Sequence, residues 1–117
     1  MITFSFPIPE KISTNRIYSG LHWAKRNSLK NLYHSQLLEF KNKFKINQYP
    51  IKIAFRFVWT KTPLDCSNCS FMAKMIEDGM VENKIIKNDT PEYVSAIALI
   101  SEIDSLLKND TVFIAIE

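Results

Sequence analysis

A few polar residues stand at spacings that chemistry uses. Asp65, Ser67 and Asn68 fall where an expected strand gives way to an expected helix. Lys74 and Asp78 follow on that helix at i and i+4, and Asp89 lies in the turn Asn88-Asp89-Thr90-Pro91 that leads back towards the sheet. Carboxylates on separate elements at one end of a sheet can share a hard cation such as Mg2+. A lysine near them can offset the charge that builds on a phosphate during its transfer. Each residue also has a plainer role. Asp65, Ser67 and Asn68 are all good helix N-caps, worth ~1 kcal/mol. Lys74 and Asp78 suit a surface ion pair, and Asn88 to Pro91 suit a turn.

The other reactive side chains carry less. Cys66 and Cys69 form a C-x-x-C, but a structural zinc site needs four ligands and only His22 and His34 are left to complete it. Those histidines lie twelve residues apart in one expected helix, about 18 Å of rise, too far to ligate one ion. The pair reads as two reduced cysteines near a helix start.

The elements that must position these groups follow from periodicity. Ile2, Phe4, Phe6 and Ile8 alternate with polar residues, which predicts a strand over 2–8 closed by Pro7 and Pro9. Residues 10–21 read as a loop. Leu29, Tyr33, Leu37, Phe40 and Phe44 recur at helical spacing and predict a helix over about 22–45. The clearest strand starts at Ile51, with Ile53, Phe55, Phe57 and Trp59 on one side and Lys52, Ala54, Arg56 and Val58 on the other. A second helix is expected over about 68–83, with Cys69, Met72, Ala73, Ile76 and Met80 as its apolar stripe and Gly79 marking close packing. Residues 93–102 are nearly continuous apolar, the pattern of a buried strand, and residues 112–116 make a last one. The whole chain, 1–117, reads as a single small α+β domain: a mixed sheet of about four strands with two main helices on one face.

Charge is divided along the chain. Residues 1–64 hold eleven Lys and Arg against Glu10 and Glu39, whereas residues 65–117 hold four lysines against ten acids. A basic half suits a polyanion and an acidic half suits a cation. Arg16, Lys25, Arg26, Lys30 and Arg56 are the candidates for gripping phosphates, and Trp23 and Tyr18 for stacking on unpaired bases, with packing the commoner role for Trp23. No apolar run reaches the ~20 residues that cross a bilayer, and the start lacks the pattern of a signal peptide, so a cytoplasmic setting is expected.

The ordered set of these features resembles a known family. Asp65-x-Ser67-Asn68, then Lys74, Asp78-Gly79, Asn88-Asp89 and Tyr93-Val94 is similar to the signature of the RusA-like Holliday-junction resolvases, which read D-x-D-N, a helical Lys, a D-[AG]-L-type segment and an Asp-Asp pair before a strand. The opening Ser13-Thr14-Asn15-Arg16-Ile17-Tyr18 and the closing Val112-Phe113-Ile114-Ala115-Ile116-Glu117 resemble the family's ends.

The resemblance implies a homodimeric, Mg2+-dependent (or Mn2+-dependent) endonuclease that cuts four-way DNA junctions, of a type often encoded by phages and prophages, with no organic cofactor. It implies Asp65 and Asp89 as metal-ligand carboxylates, Lys74 as the catalytic lysine and Asn68 as the asparagine that follows the carboxylates. Ser67 stands where the family has its second Asp, and its hydroxyl is a weaker ligand that can hold a bound water. Asn88 stands for the first Asp of the pair. Lys74 comes six residues after Asn68 rather than three, with Phe71 in the nearer place. Asp78 is the carboxylate that can compensate. Two other readings stay open: a protein that binds branched DNA without cutting it, and a phage-type protein-interaction domain.

Overall fold

Alternation of apolar and polar residues builds a four-stranded sheet. In the computed structural model, which describes residues 1–117, the strands are β1 (Ile2–Pro7), β2 (Ile51–Trp59), β3 (Val94–Ile103) and β4 (Thr111–Ile116), in spatial order β1-β4-β2-β3. β4 runs antiparallel to both of its neighbours, with Phe4 opposite Ile114 and Phe55 opposite Ile114 on its other side. β3 is parallel to β2, in register Ala54 to Ala98 and Arg56 to Ile100. A parallel neighbour requires a crossover, and the helix Ser70–Glu82 (α3) supplies it. The α+β class, the mixed sheet and the two main helices on one face are as the sequence predicts.

One face of the sheet carries the core. Phe4, Phe6, Ile53, Phe55, Phe57, Trp59, Val112 and Ile114 point towards the helix Trp23–Leu37 (α2) and α3, which bury Leu29, Tyr33, Leu37, Met72, Ile76 and Met80 against them. The other face is bare. Ala54, Arg56, Ala98, Ile100, Phe113 and Ala115 share it by register, and no helix covers it.

Three elements depart from expectation. The first long helix stops at Leu37 and passes through a single 3-10 turn, Leu38–Phe40. Phe40 and Phe44 then lie 4.7 and 5.2 Å from Phe4, so the aromatic cluster on β1 draws the chain off the helix axis. A short helix, Thr14–Tyr18 (α1), occupies part of the expected loop, capped by the Ser13 hydroxyl accepting from the Arg16 amide at 3.1 Å. β3 is not buried. The crossover delivers it to the free edge of β2, so its apolar run is solvent-facing, with Ile97 47% and Ile103 59% exposed.

The helices touch where Gly79 removes a side chain. A Cβ there would meet Leu37 Cδ1 at 2.5 Å and His34 Cδ2 at 3.0 Å. Leu37 is fully buried, and the His34 ring is held by its Nδ1 contact with Glu82, so neither has room to yield. Asn83 closes the contact by donating to the carbonyls of His34 (3.2 Å) and Gly79 (2.9 Å). Gly79→Ala gains up to ~1 kcal/mol of helix propensity but overpacks this contact, which costs roughly 1–3 kcal/mol. Urea denaturation should show the variant less stable than wild type, and an equal or raised midpoint would contradict the close approach.

Candidate functional site

Lys74 sits at the start of the second turn of α3 and gathers carboxylates from two parts of the chain. Its Nζ lies 3.0 Å from Asp78 Oδ1, 3.0 Å from Asp89 Oδ2 and 3.6 Å from Glu77 Oε1. Asp78 and Glu77 reach it along the helix at i+4 and i+3. Asp89 reaches it from the segment between α3 and β3, where the Asp89 amide donates to Asn88 Oδ1 at 2.8 Å and the Tyr93 amide to the Thr90 carbonyl at 2.8 Å. The ion pair with Asp89 thus ties the return turn to the helix.

The electrostatics follow from that arrangement. Burial by itself lowers the Lys74 ammonium, but the hydrogen bonds to Asp89 and Asp78 outweigh it and hold the group above the usual lysine range. The Lys74 hydrogen bond holds the Asp89 carboxyl below the usual range. Glu77 is only 5% exposed; burial raises its carboxyl, and the nearby ammonium offsets only part of that rise. Lys74 is therefore a fixed positive charge throughout the neutral range, not a base.

The other residues singled out in the sequence lie in different surroundings. Asp65 is exposed at the head of a 3-10 turn, Cys66–Cys69, and its carboxylate makes no capping bond. No ion pair or hydrogen bond joins it to Lys74 or Asp89. Its charge bears instead on the Cys69 thiol, which burial pushes up to about 11. Ser67 is exposed on the same turn. Asn68 Oδ1 accepts from the Asn15 amide at 3.3 Å. Asp78 and Asp89 are brought together through Lys74; Asp65 and Ser67 stand outside that contact.

The candidate phosphate-gripping residues divide between two faces. Arg16 is exposed on α1, and Lys25, Arg26 and Lys30 are exposed on α2, a helix with no acidic residue. Lys25 pairs with Glu10 at 3.1 Å, Arg26 donates to the Ile17 carbonyl at 2.8 Å, and Lys30 has no ionic partner. Arg56 lies on the bare face of the sheet, 4.6 Å over the Phe113 ring and 3.7 Å from Glu102. It belongs to a different surface.

Sequence reasoning missed some positioning residues. The Thr14 hydroxyl donates to the Asn68 carbonyl (3.3 Å), contacts the Ser70 hydroxyl (2.8 Å) and accepts from the Phe71 amide (3.1 Å), so α1 knits onto the start of α3. Ser101 accepts from Trp59 Nε1 at 2.8 Å and donates to the Leu64 carbonyl at 2.6 Å, fixing the chain just before Asp65. Glu77 was legible only as the i+3 neighbour of Lys74.

No three or more His, Cys, Asp or Glu side chains are grouped so as to hold a metal ion by themselves. Mg2+ seldom uses such a cage; it binds through one or two carboxylates and takes waters and substrate phosphates for the rest. Asp65 offers a free carboxylate, and Asp78 and Asp89 offer two more beside one ammonium. Their oxygens are of the type a hard cation takes, but Asp78 and Asp89 are paired with Lys74 and Asp65 contacts neither of them.

Comparison of the chain with models of known protein families, with characterised proteins and with solved structures gives no match.

Lys74→Met removes the cation from three carboxylates, one of them buried. A carboxyl raised in the fold stabilises while protonated and loses that contribution as pH rises through its folded value. Removing Lys74 lifts Glu77 further, so the variant should lose stability more steeply than wild type between about pH 5 and pH 7, with a deficit of roughly 1 kcal/mol near neutrality. Denaturation curves at the two pH values test this; an identical deficit at both would contradict the network.

Proposed function

We propose that the chain acts on branched DNA as a metal-dependent endonuclease of the RusA-like, Holliday-junction-resolving type. The observation that carries this reading is the Lys74 corner: one ammonium in contact with Asp78 and Asp89, beside a helix face bearing Lys25, Arg26 and Lys30 and no acid. In this reading Asp89 and Asp78 would hold Mg2+, with Asp65 as a further carboxylate, and the ion would supply Lewis-acid polarisation of the scissile phosphate and a water of lowered pKa. Lys74 offsets the extra negative charge that accumulates on phosphorus as the new P–O bond forms and the bond to the sugar oxygen breaks. The basic residues of α1 and α2 grip backbone phosphates, which gives affinity without sequence readout.

A labelled four-way junction, incubated with and without Mg2+ or Mn2+, tests the reading. Wild type should nick it only with the metal. Asp65→Asn, Asp89→Asn and Lys74→Met should lower the nicking rate by at least about a hundredfold while still shifting the junction in a gel. Nicking that survives Asp65→Asn removes Asp65 from the site. Binding without nicks in wild type favours the silent, junction-binding reading that Ser67 in a carboxylate position supports. No salt-sensitive binding at all favours the protein-interaction reading.

The same proposal takes the chain to be a homodimer, and the bare sheet face supports it. Ala54, Ala98, Ile100, Phe113 and Ala115 surround Arg56 on this face, with the long unpaired edge of β3 beside it. A two-fold contact needs one self-complementary patch, and such a dimer presents two equivalent sites to a two-fold junction. Light scattering should give twice 13.6 kDa, and Ala98→Lys with Ile100→Lys should give a monomer. A wild-type monomer at every concentration would sink the dimer.

A further inference from the structure

Trp23 is expected from sequence to pack, and in the fold it does not: it is 72% exposed at the first turn of α2. It stands at the mouth of a groove of about 430 Å3 between the N-terminal halves of α2 and α3. Trp23, Arg26 and Lys30 line the α2 side; Phe71 and Met75 give the α3 side its apolar part, with Lys74 beside them. The positions are helical stripes, 23, 26 and 30 facing 71, 74 and 75, so the groove follows directly from the way the two helices lie together. Asp78 is the one acid on the lining, and it pairs at 3.0 Å with Lys74, which Asp89 shares.

We propose that this groove is a subsite for a single unpaired DNA nucleotide, its base against Trp23, Phe71 and Met75 and its phosphate on Lys30 and Arg26. The proposal rests on the reading that the chain binds DNA and adds where an unstacked base goes. The chemistry of the lining selects the occupant. An exposed indole and an apolar wall offer a stacking platform that every base can use. The cations answer an anionic backbone: Lys30 has no ionic partner to give up, and Arg26 is already oriented by the Ile17 carbonyl. A neutral apolar ligand leaves those charges unanswered. A duplex keeps its bases stacked and paired, so it offers no free base face to this lining. Lys74 joins the groove to the Asp78–Asp89 corner, so a nucleotide held here places the adjoining phosphate at the candidate catalytic lysine.

The two tryptophans make a direct readout. Trp59 is fully buried, so only Trp23 meets solvent. Oligodeoxythymidine titrated at low salt should quench the Trp23 emission saturably, and a blunt duplex of equal length should quench it far less. Trp23→Ala should weaken oligodeoxythymidine binding about tenfold or more, and Trp23→Phe should restore most of it. Lys30→Ala should weaken binding and reduce the slope of log affinity against log salt by about one. Because Trp23 is exposed, the Ala variant keeps the core, and unchanged Trp59 emission confirms that. No quenching by the single strand, in a sample that still shifts a four-way junction, overturns the subsite and leaves the DNA reading standing. Failure of both probes overturns both. Equal quenching by duplex, or tighter binding of oligouridine, overturns the assignment to an unpaired DNA nucleotide.

Discussion

The contact on which the site depends is the one between the Lys74 ammonium and the carboxylates of Asp78 and Asp89, each at 3.0 Å. It joins the crossover helix to the turn that starts β3, and it offsets part of the local negative charge. Three acids in a small volume would repel one another and one of them, Glu77, is buried. A lysine among them makes the cluster stable and keeps it polar. The same lysine lines the groove towards α2, so the acids and the basic helix face share one side chain. A phosphate arriving from that helix has to compete with a carboxylate for Lys74, and the acid it displaces needs another cation.

The fold produces this corner by putting all of its helices on one side of the sheet. β2 leads into α3, and α3 must cross back to set β3 parallel to β2. The loop that follows α3 is thereby brought beside the helix, and Asp89 with it. Gly79 lets α2 approach α3 closely at their C-terminal halves, while the larger Phe71, Met75 and Trp23 at the N-terminal halves leave the groove open. The cost of one-sided helices is a sheet face with no cover, where Ala54, Ala98, Ile100, Phe113 and Ala115 surround Arg56.

Much of this was legible because the period of the apolar residues is strong where the core is deep. β2 and the stripe of α3 follow Ile53, Phe55, Phe57, Met72, Ile76 and Met80 as the pattern requires. β3 was not legible as an exposed strand, because an apolar run does not say whether a helix or water lies over it. The early end of α2 was hidden because Phe40 and Phe44 keep helical spacing while serving the cluster around Phe4. Lys74, Asp78 and Asp89 could be grouped in advance through the i,i+4 spacing and the turn. The hold of Thr14 on Asn68 and Ser70 could not, since it joins residues more than fifty positions apart through a helix of five residues.

The most direct test is nitrogen-15 NMR of the lysine side chains during titration with a four-way junction. The Lys74 ammonium, hydrogen-bonded to Asp78 and Asp89 in the free protein, should give a resolved signal near neutral pH that moves as DNA is added, and moves at the same DNA concentration as the Lys30 signal. A Lys74 signal that stays in place while Lys30 responds would mean that phosphate never reaches the corner, and would contradict the account.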